Sequence, residues 1–223
     1  MANDSKKYEI RSFGNEAAPK ILRSADGAMT RTIEGYAVVF NQRSQLLFDW
    51  NSGSPVFEII DAAAVDDVLL RSADIQALLE HNINRMLARS RSGVGSLSLS
   101  VDEHGVKYSF DAPNTADGDY ALEEIKRGDL FGSSFAYLTD ENVNVSYSKD
   151  GDNLIRTVKK IDQMFDVSIV SNPAYMGTSV EARSVQKRFL ENPPIDDKKL
   201  EEEKIKKEAY ERSLDELRNL SKF

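Results

Sequence analysis

The chain has 223 residues, no cysteine, two histidines and a formal net charge of −8, enough for one ordinary domain with an appendage or for two small ones. Disulfides, thiol catalysis and Cys- or His-rich metal sites are excluded. No run is apolar for long enough to span a bilayer, and the polar start MANDSKKYEIRSF reads as no secretory signal, which makes the cytosol the expected compartment.

The last forty residues carry ten basic and ten acidic side chains, so the acidity belongs to the body. An acidic body argues against nucleic acid as a partner. No loop has the ligand spacing of a carboxylate-only metal site, and no cofactor or metal is expected.

In chain order, residues 8–13 alternate as a short strand and 17–30 are small, polar and turn-rich. Residues 31–41, RTIEGYAVVFN, are β-branched and aromatic and predict a strand, with Gly35 as the mark of a bulge. Residues 42–55 read as a loop. Its Leu46, Leu47, Phe48 and Trp50 make it apolar, either as a cover for the core or as a flap against a substrate. A short helix capped by Asp61 is expected over 61–70. Residues 74–80, DIQALLE, alternate and end at His81, and 82–92 read as a basic connection with Arg85, Arg89 and Arg91. A hairpin follows, 94–101 and 106–112 about the turn DEHG. Thr115 or Asp117 caps a helix over 119–127, and Gly128 suits its C-terminal end.

RGDLFGSSFAY, residues 127–137, then alternates as a strand. Successive strand side chains point to opposite faces. Ser133 therefore shares a face with Phe131, Phe135 and Tyr137, which is a core face, while Ser134 lies between Gly132 and Ala136. A hydroxyl between such small neighbours either faces water or can be approached by another polypeptide backbone, as a serine nucleophile requires. A second hairpin over 143–159 and a strand over 161–170, IDQMFDVSIV, complete the body, with a last short strand expected at 180–183.

After residue 183 the composition changes. Asn192, Pro193 and Pro194 read as a linker, and beyond them a highly charged helical pattern carries Tyr210, Leu214 and Leu217 on one weak apolar seam. The expected division is a β-dominated domain over 1–183, a linker over 184–197 and a charged helical tail over 198–223. Seven or eight strands with two short helices predict a closed or nearly closed barrel with helices around it.

An activated serine needs a base, and histidine is the side chain suited to neutral pH. His104 sits at a hairpin tip, where an exposed surface role is expected. His81 ends an apolar strand, as a packed structural residue or as a base the scaffold can hold. Asp166 interrupts the strand 164–170 beside a core face, where a carboxylate wants a partner. It is the best-placed third group, with Asp162 as competitor and an edge-strand Asp as the plain alternative. Gly132, the backbone around 171–175 and Arg156 are the oxyanion donors to consider. The rival reading is a non-catalytic, structural or scaffold-type assembly protein in which Ser134 is incidental. A third is a small-molecule barrel lidded by residues 46–50.

Taken together and in order, IEGYAVVFN, FEII with its Ala-rich helix, LLEHN, RSGVGSLSLSVDEHGVKYSFDAP, RGDLFGSSFAY and FDVSIVSNPAY resemble the prohead (capsid maturation) proteases of tailed phages, the HK97-type serine proteases. The resemblance runs from about residue 8 to 183. It implies a fold similar to the herpesvirus assemblins, a closed β-barrel ringed by short helices. It places the nucleophile at Ser134, the base at His81 and the third member at Asp166, where many relatives carry Glu and the assemblins His. The arginine pair with which assemblins hold the oxyanion has no counterpart at 172–175. The implied substrates are scaffold, the N-terminal segment of the major capsid protein and the chain itself, cut near 184–198. The implied place of action is the procapsid in the host cytoplasm, as an oligomer, with the tail as targeting segment.

Overall fold

The computed structural model describes residues 6–44, 46–49 and 52–172. Trp50, residues 173–183 with the expected last strand, the linker and the charged tail lie outside the described residues. Strand β1 (Lys6–Phe13) is followed by β2 (Lys20–Arg23), β3 (Met29–Val39), β4 (Leu46–Asp49) and β5 (Ser54–Ile60). Helix α1 (Asp67–Ser72) leads to β6 (Asp74–Leu79), β7 (Asn82–Arg91), β8 (Val94–Gly95), β9 (Ser98–Val101) and β10 (Gly105–Asp111). Helix α2 (Ala116–Arg127) precedes β11 (Gly132–Asp140). The single turn α3 (Glu141–Asn144), then β12 (Val145–Asp150), β13 (Asn153–Val158) and β14 (Gln163–Val170), complete the described chain.

The fold is mainly β, as expected, but among the described residues the hydrogen bonds draw three open sheets and none closes into the expected barrel. The six-stranded sheet runs β1-β11-β14-β6-β7-β8, and two four-stranded sheets run β2-β3-β10-β9 and β12-β13-β5-β4. The six-stranded ladder does not close because β1 and β8 each have one neighbour, and β8 is only two residues long. Between β14 and β6 the pairing is parallel, which seats β14 between β11 and the β6–β7 hairpin.

Local chemistry explains most elements. Asp61 caps only a one-turn 3-10 helix, Ala62–Ala64, and Asp66 caps α1 through a bond from the Leu69 N–H, so the expected helix over 61–70 splits in two. Thr115 caps α2 and Gly128, at φ 83°, closes it. Two expected connections are strands. Residues 46–49 pair with β5 rather than forming a flap. Residues 82–91 pair with β6. A register shift there lets Leu87 and Ala88 both be buried while Arg89 and Arg91 face out, which hides the two-residue period from the sequence.

The apolar core lies under β11, where the rings of Phe135 and Tyr137 stack at 4.9 Å and Phe13 stacks on Phe135 at 6.2 Å. Beside it the interior is ionic. Arg156 of β13 binds Glu9 of β1, Glu58 of β5 and Glu141 of α3, and Arg11 of β1 grips Glu58 through two nitrogens at 2.6 and 2.8 Å. Tyr137 donates to Glu9 at 3.0 Å. Burial pushes the Glu9 carboxyl upward, with Arg11 and Arg156 opposing. This cluster ties β1 to the β12-β13-β5-β4 sheet.

Candidate active site

The alternation of β11 separates its two serines. Ser133 points inward, donating to the Ala17 carbonyl at 2.7 Å and bonding the Tyr108 hydroxyl at 2.8 Å. It is held as a structural residue. Ser134 points to the opposite face between Gly132 and Ala136. It stands abreast of Ser12 on β1 and Ser168 on β14, its register partners on either side.

His81 does not end a strand; with Glu80 it makes the two-residue turn between β6 and β7. Leu79 pairs with Asn82, and Glu80 and His81 have φ of 52° and 54°. Both central residues at positive φ is the hairpin turn that suits strand twist, usually built from Asn-Gly or Asp-Gly. Here it is built without glycine, at some backbone cost. Two bonds hold it down: the Glu80 N–H donates to the Ile169 carbonyl at 3.0 Å, and the Glu80 carboxylate accepts from the Ser171 N–H at 2.8 Å. Both anchors come from β14 or the residue just after it.

The turn sets the imidazole between strands β11 and β14. His81 Nε2 lies 2.6 Å from Ser134 Oγ, and its Nδ1 lies 2.7 Å from Asp166 Oδ1. Ser168 Oγ donates to the same Asp166 oxygen at 2.6 Å and lies 3.2 Å from His81 Nδ1. Asp166 sits opposite Ala136, whose methyl leaves space above the sheet. The carboxylate fixes the tautomer: Nδ1 carries the proton toward Asp166, and Nε2 is left as the acceptor facing the serine.

The three expected site residues are thus brought together from adjacent positions in one sheet. The competitors are elsewhere. Asp162 accepts the Asn144 amide at 3.0 Å. Arg156 is 1% exposed inside the ionic cluster, bound by three glutamates, and is not an oxyanion donor. The Ser171 N–H is taken by Glu80, and residues 173–175 lie outside the described residues. His104 is at the surface, edge-on to Tyr36 at 4.5 Å.

Two neighbours were given no role by the sequence. Ser168 shares the face of Asp166, which the period shows, but its bond to that carboxylate is a matter of rotamer. Ser12 has no sequence signal, since its contact with Ser134 spans 122 residues. Small neighbours also do not leave Ser134 open. It is fully buried, and His81, with 17% of its side chain exposed, is the solvent-facing member of the group. An imidazole with a carboxylate on one nitrogen and an alcohol on the other can take the alcohol's proton and store the resulting charge beside an anion.

The profile of the caudovirus prohead serine protease family matches residues 19–192. Among solved structures the chain is similar to the capsid assembly protease gp21 of bacteriophage T4, with a TM-score of 0.46 and 12% identity over 76% of this chain and 100% of that one. A comparison with curated proteins finds no match.

Proposed function

The chain belongs to the caudovirus prohead serine proteases, and from that membership we propose that Ser134, His81 and Asp166 are the catalytic triad of this phage capsid-maturation protease. The observation that carries the reading is the double engagement of one imidazole, 2.6 Å to Ser134 Oγ and 2.7 Å to Asp166 Oδ1. A structural barrel or a small-molecule binder has no use for that arrangement.

In the proposed reaction Ser134 Oγ attacks the carbonyl carbon of the scissile peptide as its proton passes to His81 Nε2. The carbon–nitrogen bond breaks, and Nε2 returns the proton to the departing amine. Water then attacks the acyl-serine and loses a proton to Nε2; the ester carbon–oxygen bond breaks, Nε2 returns that proton to Ser134 Oγ, and the carboxylic acid leaves. Asp166 keeps Nδ1 protonated and balances the imidazolium. Ser168 holds the carboxylate in place.

Membership of the family implies capsid protein as substrate and action in the procapsid within the host cell. The finer assignment is part of the proposal: the N-terminal scaffolding segment of the major capsid protein, free scaffold, and the chain's own junction near 184–198, cut by an oligomer inside the procapsid. No helix among the described residues is long and apolar enough to cross a membrane.

Co-expression with the major capsid protein of the same phage tests it. With the wild-type chain, mass spectrometry should find the capsid protein shortened at its N-terminus. With Ser134→Ala it should stay whole, a loss of rate on the order of 10⁴-fold or more. Equal shortening in both would remove Ser134 from the reaction.

A further inference from the structure

We propose that Ser12, on the N-terminal strand β1, is a fourth member of the catalytic group, donating a hydrogen bond to the nucleophilic oxygen of Ser134. The inference rests on the reading of Ser134 as nucleophile. It assigns a role to a segment that the family profile, which begins at residue 19, does not reach.

Ser134 Oγ has one proton to give and two lone pairs. It has three partners: His81 Nε2 at 2.6 Å, Ser12 Oγ at 2.8 Å and the Arg11 carbonyl at 2.9 Å. Because Asp166 holds the imidazole proton on Nδ1, Nε2 is an acceptor, and a carbonyl can only accept. The single proton of Ser134 is therefore shared between these two, with Nε2 the nearer. Ser12 is the one partner able to donate, and its O–H fills a lone pair of the nucleophile. When the proton moves to Nε2, negative charge grows on Oγ and the Ser12 bond becomes charge-assisted, the stronger class. The interaction gains strength in the transition state, which is the condition for raising the rate rather than the affinity.

The placement of Ser12 is built. Its register partner on β11 is Ser134. The preceding residue, Arg11, faces the other side of the sheet, where its guanidinium is clamped by Glu58 and Glu9 in the ionic cluster. Alternation then obliges Ser12 to face the nucleophile, and the same anchor fixes the Arg11 carbonyl. Ser12 is itself 7% exposed, so water does not compete for its hydroxyl.

A fluorophosphonate that reacts with activated serines tests this on the full chain, with peptide mapping and the inactivation rate split into its maximal rate and its half-saturating concentration. The expected result is labelling of Ser134 in the wild type. In Ser12→Ala and Ser12→Gly the maximal rate should fall about 10- to 100-fold, the effect of losing a hydrogen bond to a charged group. The half-saturating concentration should stay unchanged, and both variants should stay folded at the assay temperature, with only a small fall in melting temperature. Ser12→Thr, which keeps the hydroxyl, should restore most of the rate. Unchanged labelling of Ser134 in both hydroxyl-free variants would overturn the role of Ser12 and leave the triad standing. So would an equal loss in a Thr variant of undiminished melting temperature. A wild type with no adduct on Ser134, or with the adduct on Ser12, would instead overturn the triad itself.

Discussion

His81 owes its position to two backbone choices that its side chain does not make easily. Glu80 and His81 both hold left-handed φ, which costs an L residue about 1–2 kcal/mol. The strand pairing on both sides and the Glu80 bonds to Ile169 and Ser171 hold the turn in that form. The result is an imidazole aimed from a rigid tip rather than from a loop. Its function then depends on which nitrogen carries the proton, and Asp166 decides that. Asp166→Asn keeps the shape but can offer its amide N–H to Nδ1 and so favour the wrong tautomer. Cleavage should fall about 10⁴-fold, measured as single-turnover hydrolysis with the protein still folded. Asp166→Glu keeps a carboxylate and should retain more activity than the Asn variant; a Glu variant no better than Asn would show that charge at this place is not what matters. At this scale the sequence was informative where period alone suffices: the opposite facing of Ser133 and Ser134 follows from alternation. It was silent about Ser12, because nothing local records which strand lies beside β11.

Elements carry the next set of constraints. Gly35 reads in the sequence as a bulge, but it is paired with Tyr108, and the register shift lies between Val106 and Lys107. The glycine is needed for a different reason: a methyl there would sit 2.6 Å from the Tyr108 hydroxyl. That hydroxyl is bonded to Ser133, directly before the nucleophile, so the ring cannot simply turn aside. Gly35→Ala should cost about 1–3 kcal/mol, read by urea unfolding, and unchanged stability would mean the ring has room that the packing does not indicate. The ionic cluster makes a stronger claim. Arg156 bridges buried Glu9, Glu58 and Glu141 from three elements. Arg156→Met removes the cation that Glu141 shares with Glu9 and Glu58 and should destabilise by about 3–5 kcal/mol, with β1 the first element to lose protection in hydrogen exchange. Strands β4 and β7 were illegible for opposite reasons. β4 is short and apolar on both faces, like a buried loop. β7 carries a register shift and a turn without glycine, so neither its period nor its start was visible.

At the scale of the whole molecule, the described residues form three open sheets where a barrel was expected, and the candidate site does not depend on closure. The site requires only that β11, β14 and the β6–β7 turn be neighbours, and the parallel pairing of β14 with β6 provides that. Whether a ladder closes depends on pairings between its end strands, which no local pattern encodes; what each strand buries is encoded, and the β-rich class followed from it. The family match over residues 19–192 spans Ser134, His81 and Asp166 but not β1, yet β1 pairs directly beside Ser134 and is fastened by the ionic cluster. Under the proposed reading, the first strand completes a site built by the rest of the described chain. Intact-mass spectrometry of the purified chain over time tests the account most directly. It predicts that the wild type loses its C-terminal segment by a cut near residues 184–198, while Ser134→Ala and His81→Ala keep all 223 residues. Shortening of the Ser134→Ala chain at the wild-type rate, or a wild type that stays whole, would contradict it.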